Sequence, residues 1–338
     1  MSISSVVVTE LEFRKAEAVF TAAPGVRCLP APADEDGLTA AILESGARHA
    51  IVGTTPYREG LYSALSRGAV LARFGVGHDG IDKAKATAAG LLCTNTPGVL
   101  DQSVAEHTML LMAAAARHLL AISGPMQNGS WAPRGGTELC GKTLAVIGCG
   151  PIGCAVARLA YHGFRMRVVG CRRSPIPAEH LHAENGFEKV VNDFEAAVRD
   201  ADYVSLHIPA TPENRNFINR ERLELLGPAT WLINTARGAV LDETALYRIL
   251  AERRIGGAAL DVFEREPYEP AEPAFDLRTL DNTILTPHVG SNTTGANCRM
   301  AERALRNIAL AETGDFASMN LLNPEVLSSR PAMKVLGT

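Results

Sequence analysis

Ala145-Val146-Ile147-Gly148-Cys149-Gly150-Pro151-Ile152-Gly153 decides how this chain is read. A short apolar run enters a Gly-x-Gly-x-x-Gly turn, and residues 154–160 continue with helical character. Strand, glycine turn and helix is the setting in which this fingerprint marks dinucleotide binding, because a helix start presents free N–H groups to a pyrophosphate. Gly148 permits the tight turn, Gly150 lets backbone approach the phosphates, and Gly153 lets the helix pack close to the strand. A glycine-rich βα turn that binds nothing carries the same letters, so the rest of the chain has to decide between the two.

Downstream of the fingerprint, apolar segments at 167–170, 190–191, 203–208, 231–234, 258–262 and 282–286 alternate with helical segments at 193–200 and 241–252. Upstream, strands are expected at 5–9, 50–53, 70–74 and 91–94, with helices at 12–21, 36–45 and 57–68. Alternation of this kind predicts parallel sheets covered by helices. Pro97-Gly98 breaks the chain before a long helix at 103–120. Residues 124–136 read as an irregular arm carrying Trp131, which either meets a partner or plugs a local core. A last long helix at 295–312 follows after the second sheet is complete, and its natural place is back on the first. The expected fold is therefore α/β with two doubly wound parallel-sheet domains. A Rossmann cofactor domain (101–290) is inserted in a flavodoxin-like substrate domain (1–100 and 291–338), with the ligand in the cleft between them.

Composition narrows the function. The 338 residues are 46% apolar and 21% charged with a net charge of −4, ordinary values for a soluble globular protein. No basic stripe points to nucleic acid. The longest apolar run, 109–116, is too short to span a bilayer, and the N-terminus lacks the pattern of a signal peptide. Seven cysteines show no Cys-x-x-Cys and no zinc spacing, so no metal is expected, and reduced thiols fit a cytoplasmic enzyme.

Polar residues follow three of the expected strand ends, the ends that face the ligand crevice in an open α/β sheet. Arg237 follows Trp231-Leu232-Ile233-Asn234-Thr235-Ala236, Glu266 follows Asp261-Val262-Phe263, and His288 follows Ile284-Leu285-Thr286-Pro287. A guanidinium can fork onto a carboxylate, and an imidazole tuned by a carboxylate can act as acid or base. Taken singly, Arg237 also reads as a surface ion pair, Glu266 as a solvated loop acid and His288 as a packing residue. Together on a nucleotide-binding sheet they favour a site.

These motifs, with Gly75-Val76-Gly77-His78-Asp79, Asn95-Thr96-Pro97-Gly98 and Ser103-Val104-Ala105-Glu106, resemble the D-isomer-specific 2-hydroxyacid dehydrogenases in order and spacing from about residue 70 to about 310. The resemblance implies that Arg237 binds the substrate carboxylate and 2-oxo oxygen, aided by the backbone N–H groups of Val76 and Gly77. It implies that His288 is the acid in reduction and the base in oxidation, and that Glu266 keeps it protonated. Cofactor contacts would come from Val104, Pro151, Ile152, His207, Pro209, Thr235, Ala236, Asp261 and Gly290 beside the three glycines. A homodimer paired through the cofactor domain is implied as well.

One position departs from the commoner family pattern. Members using NAD carry an acid near the end of the strand after the fingerprint, where it binds the ribose hydroxyls. Here Val168-Val169-Gly170 runs into Cys171-Arg172-Arg173-Ser174, and the first acid after Gly148 is Glu179. Two guanidinium groups and a hydroxyl suit a ribose 2′-phosphate; a solvated basic loop is the plain alternative. NADP(H) is therefore expected over NAD(H), which stays possible. The reaction expected is reduction of a small 2-oxo acid of the glyoxylate or hydroxypyruvate type. The alternatives are phosphoglycerate oxidation without a regulatory domain, for which the chain leaves no room, or a non-catalytic nucleotide-sensing protein like the co-repressors on this fold. His78, which reads more readily as a plain loop residue, and Tyr57, equally open to a packing role, are lesser candidates to line the cleft.

Overall fold

The computed structural model describes residues 4–174 and 185–328. The chain divides into two compact units, one from Met1–Leu100 and Asn292–Thr338, the other from Asp101–Ser291.

The first unit is built on β1 (Ser4–Thr9), β2 (Val26–Ala31), β3 (His49–Val52), β4 (Val70–Arg73) and β5 (Leu92–Thr94). All pair in parallel, in the order β2-β1-β3-β4-β5, which is the flavodoxin-like order. Strands β3, β4 and β5 are buried along their whole length because helices cover both faces of a parallel sheet. The connecting helices are α1 (Glu10–Lys15), α2 (Glu17–Thr21), α3 (Glu35–Ser45), α4 (Gly60–Ala64) and α5 (Lys83–Ala88). Val7, Leu38, Ile42, Val52, Leu61 and Leu71 form part of one core.

The second unit opens with α6 (Asp101–Ala116) and α7 (Leu119–Gln127). Then come β6 (Thr143–Ile147), α8 (Pro151–Arg158), β7 (Arg167–Cys171), β8 (Lys189–Val191), α9 (Phe194–Val198) and β9 (Tyr203–Leu206). It closes with α10 (Arg220–Glu224), β10 (Trp231–Asn234), α11 (Glu243–Ala251), β11 (Gly257–Leu260) and β12 (Thr283–Leu285). The seven strands order as β12-β11-β10-β9-β6-β7-β8, all parallel, so the chain reverses direction across the sheet beside β6. That is the doubly wound dinucleotide-binding order with one strand added. Helices α6 and α8 pack together over one face, where Met112, Leu144, Val146, Val156 and Val168 are buried. Leu206, Leu232, Leu246, Leu250 and Leu260 belong to the core of the opposite face.

The chain then returns to the first unit through α12 (Thr294–Thr313), which lies against β4 and α2. Thr293 caps its start by accepting from Ala296 N–H. Glu312 ties its end to the buried His49 at 2.6 Å.

Several expected elements change in extent. Strand β2 was not expected. Its Pro30 interrupts the apolar pattern, and the structure tolerates it because β2 is an edge strand. The helix expected over 57–68 shrinks to α4, and Tyr57 is a buried packing residue whose hydroxyl donates to Ala33 O at 3.1 Å. The long helix expected over 103–120 starts at Asp101 and breaks after Ala116, where His118 takes a left-handed φ of 51°. The arm expected from 124 starts later, since α7 continues through Pro125 to Gln127. Trp131 is not a core plug in its own chain: it is 82% exposed.

Candidate active site

Three loops, beyond β10, β11 and β12, hold Arg237, Glu266 and His288. The loop after β12 is held almost entirely by Asp261. Its carbonyl accepts from His288 N–H at 2.8 Å. Its carboxylate accepts from the Thr286 hydroxyl at 2.6 Å, from Val289 N–H at 2.9 Å and from Gly290 N–H at 2.8 Å. Burial alone would raise the Asp261 carboxyl; donors from His107, Thr286, Val289 and Gly290 outweigh it and hold the group below its usual range. This cage keeps His288 at a φ of 53°, a left-handed conformation that costs a non-glycine residue about 1–2 kcal/mol.

His288 Nδ1 lies 2.6 Å from Glu266 Oε2. The other carboxylate oxygen accepts from Phe263 N–H at 3.0 Å, so Glu266 is fixed through both oxygens. Burial would raise Glu266, but the bond and charge of His288, the Phe263 N–H and the charge of Arg237 together lower it. An ionised carboxylate only accepts, so the proton between the pair sits on Nδ1, and Nε2 is the ring atom left for a substrate.

Arg237 starts the turn after β10. The Asn234 side chain closes that turn, its amide donating to Arg237 O at 2.9 Å while its carbonyl accepts from Ala236 N–H at 3.0 Å. Nη1 of Arg237 donates to Ala236 O at 2.7 Å. The next residue has to be glycine: a Cβ on Gly238 would fall 1.9 Å from the carbonyl carbon of Phe263. Arg237's turn therefore rests directly on the segment that leads to Glu266. On the β10 side, Thr108 donates to Val104 O at 2.8 Å, which leaves Thr235 as donor to the Thr108 hydroxyl oxygen at 2.8 Å.

The fingerprint turn can hold a dinucleotide. Gly148 has a φ of 105°, and a Cβ there would meet His207 O at 2.5 Å. Gly153 packs so closely that its Cβ would lie 2.0 Å from Gly148 O. Gly150 caps α8 and faces open space, with Pro151 as the first helical residue and the N–H groups of Ile152 and Gly153 in the first turn. Burial pushes His207 down to about 3, so its ring is neutral; its Nε2 lies 2.8 Å from Ser205 Oγ. Pro209 lies just beyond β9.

Strand β7 ends at Cys171, and Arg172, Arg173 and Ser174 follow at once. The Nε of Arg172 is buried with no hydrogen-bond partner among the described residues, a donor in want of an acceptor. Arg173 and Ser174 are exposed. Glu179 lies outside the described residues.

Val76 and Gly77 belong to the first unit, on the loop after β4. Asn95 braces that loop by donating to Val76 O at 2.8 Å, and Thr96 N–H donates to Gly75 O at 3.0 Å.

Two residues of the second unit went unread in the sequence. His107 reaches Thr286 at 3.1 Å, and Glu243 accepts from Glu264 N–H at 2.6 Å beside the Glu266 loop. For His107 the available signal was a titratable side chain three residues after Val104, on the same face of a helix that is mostly buried. Among the described residues, no group of three or more His, Cys, Asp or Glu is placed to hold a metal, and no single helix is long and apolar enough to cross a membrane.

Residues 109–290 match the model for the D-isomer specific 2-hydroxyacid dehydrogenase NAD binding domain. The chain is 39% identical over 270 residues to a glyoxylate reductase of Pyrococcus furiosus, covering 77% of each chain. Its structure resembles the NADPH-dependent glyoxylate/hydroxypyruvate reductase of Sinorhizobium meliloti in complex with NADP and malonate. The TM-score there is 0.77 at 28% identity, over 91% of this chain and 93% of that one. It also resembles the D-lactate dehydrogenase of Aquifex aeolicus complexed with NAD and lactic acid, with a TM-score of 0.80 at 26% identity over 94% and 99% of the two chains.

Proposed function

The chain belongs to the D-isomer specific 2-hydroxyacid dehydrogenase family, and from that premise we propose that it is an NADPH-using reductase of glyoxylate or hydroxypyruvate. It is a nicotinamide-dependent hydroxyacid oxidoreductase; the substrate and the choice of NADP(H) are the proposed part. The observation that carries the reading is the 2.6 Å pair of His288 and Glu266 beside the charge of Arg237, on the sheet that bears the glycine turn.

We assign the fingerprint glycines, Pro151, Ile152, Val104, His207, Pro209, Thr235, Ala236, Asp261 and Gly290 to the cofactor. The close-packed turn and the open space at Gly150 fit a pyrophosphate. Arg172, with its orphaned Nε, Arg173 and Ser174 are assigned to the ribose 2′-phosphate. When bound, the reduced nicotinamide supplies hydride to C2 of the 2-oxo acid. Arg237 binds the carboxylate, and its guanidinium polarises the 2-oxo oxygen. Protonated His288 gives the proton on Nε2 to that oxygen. The neutral ring left behind is the Nδ1–H tautomer that Glu266 already holds, so no reorganisation accompanies the transfer.

Support for the substrate comes from the relatives named as glyoxylate reductases and from the NADP complex of the Sinorhizobium meliloti enzyme. Seven free cysteines suit the cytoplasm. The test is a panel of glyoxylate, hydroxypyruvate, pyruvate and longer 2-oxo acids, each run with NADPH and with NADH. The expected result is the highest kcat/KM with glyoxylate or hydroxypyruvate and NADPH. Equal or better values with NADH would remove the cofactor assignment, and no oxidation of either cofactor with any acid would favour a nucleotide-sensing protein.

A further inference from the structure

We infer that His107 is a positioning residue for the reaction, acting through Thr286 and Asp261 to fix the loop that carries His288. The inference rests on the assignment of His288 as the acid.

His107 lies on α6, largely buried, with Nε2 at 3.1 Å from Thr286 Oγ1 and 3.3 Å from Asp261 Oδ1. Proton positions follow from the partners. The Thr286 hydroxyl has one proton, and its 2.6 Å contact with Asp261 Oδ1 commits that proton to an ionised carboxylate. The Thr286 oxygen is then available only as an acceptor, so His107 must donate from Nε2. The same N–H leans on Asp261 Oδ1, which already accepts from Thr286 and from Val289 N–H. A carboxylate with almost no solvent exposure stays ionised only while its donors remain in place.

The geometry ties this network to the chemistry and not merely to the core. Asp261 anchors positions 286, 289 and 290 through its side chain and position 288 through its carbonyl. His288 is thus bracketed on both sides while held in a left-handed conformation that it would leave if the bracket loosened. A shift of the ring by about 1 Å from the reacting oxygen is enough to lower a rate by as much as ~100-fold. Substrate capture, assigned to Arg237 on a different loop, is not touched by such a shift. The second carboxylate–imidazole pair of this unit therefore serves the first without meeting the substrate.

Two substitutions separate the hydrogen bond from the packing. His107→Phe keeps a ring of similar size and loses the donor; His107→Gln keeps an amide N–H at comparable reach. With saturating NADPH and glyoxylate, the Phe variant is expected to lose about tenfold or more in kcat with KM for glyoxylate changed less than about threefold, and the Gln variant to return to within about threefold of the parent. A Phe variant within about twofold of the parent kcat, or a Gln variant as impaired as Phe at equal melting temperature, would overturn the role. A measurement on the unaltered enzyme stands beside these. Long-range proton–nitrogen correlation of 15N-histidine-labelled protein at pH 8 should show His107 as the Nε2–H tautomer, and the Nδ1–H tautomer would equally overturn it. An unaltered enzyme that turns over no 2-oxo acid would instead bring down the functional reading, while the tautomer still decides the hydrogen bond.

Discussion

Two glutamates around one loop are driven in opposite directions. Glu266 is held below its ordinary range because His288, the Phe263 N–H and Arg237 outweigh its burial. Glu243, which accepts from Glu264 N–H at 2.6 Å, is pushed up to about 7, first by burial and then by the nearby charges of Glu264, Glu266 and Asp242. Linkage gives the two opposite signs. The raised Glu243 contributes stability that is complete below the ordinary value of 4.5 and is lost as pH rises through about 7. The depressed Glu266 contributes stability present above the ordinary value and lost as pH falls through its folded value. Glu243→Gln keeps an oxygen for Glu264 N–H and cannot ionise, so its melting temperature should fall less than the parent's between pH 5 and pH 8. Parallel curves from scanning calorimetry would refute the ionisation of Glu243 as the cause. At the residues assigned to the reaction, His288→Ala should lower turnover by about 100-fold or more while NADPH binding, read by fluorescence titration, stays intact. Arg237→Ala should lower kcat/KM by more than about tenfold, a loss above about 1.4 kcal/mol of transition-state stabilisation; a smaller loss would remove its assigned role.

At the scale of elements, the end of β7 carries the cofactor question. The strand stops at Cys171, so Arg172 and Arg173 stand at the position where an acid serves the NAD-using pattern. Replacing both by alanine should lower kcat/KM with NADPH by about tenfold or more, the scale of one or two charge-assisted hydrogen bonds, and leave the value with NADH nearly unchanged. A uniform loss with both cofactors would point to damage of the fold instead. The same scale shows what a sequence can disclose. Strand, glycine turn and helix were legible because steric needs at Gly148 and Gly153 leave few other choices. The strand ends bearing Arg237, Glu266 and His288 were legible because each follows an apolar run. Strand β2 was not, since Pro30 is acceptable only at an edge, and which strand is the edge is a property of the assembled sheet. The break at His118 was hidden because nothing in an alanine-rich run announces a left-handed residue. His107 was hidden for a related reason: its partners Thr286 and Asp261 lie more than 150 positions away, and only the fold makes them neighbours.

Among the described residues, α6, α7 and the segment after them carry several large apolar side chains that remain exposed. Leu110, Leu119, Leu120 and Met126 are exposed on α6 and α7, and Trp131 follows on the segment beyond. Helix α7 is among the most apolar of the chain, yet none of its residues is buried. A nine-residue helix is marginal in water unless a face of it is packed, so α7 needs something to lie against. Large contiguous apolar patches on soluble proteins mark association sites, and a two-fold pairing lets one patch cover its own copy. The homodimer paired through the cofactor domain that the family resemblance implies would cover this side of the second unit. Light scattering on the eluting peak of a sizing column should give about twice the 36.0 kDa chain mass at micromolar concentration. Leu120→Glu combined with Trp131→Ala places a charge and a gap in the patch without touching the fingerprint or the Arg237, Glu266 and His288 loops. That variant should elute as a monomer, with a lower melting temperature that no longer rises with protein concentration, since dimer stability depends on protomer concentration. A parent protein that remains monomeric at all concentrations tested, or a double variant that pairs as tightly as the parent, would show that α7 is covered by something other than a second copy.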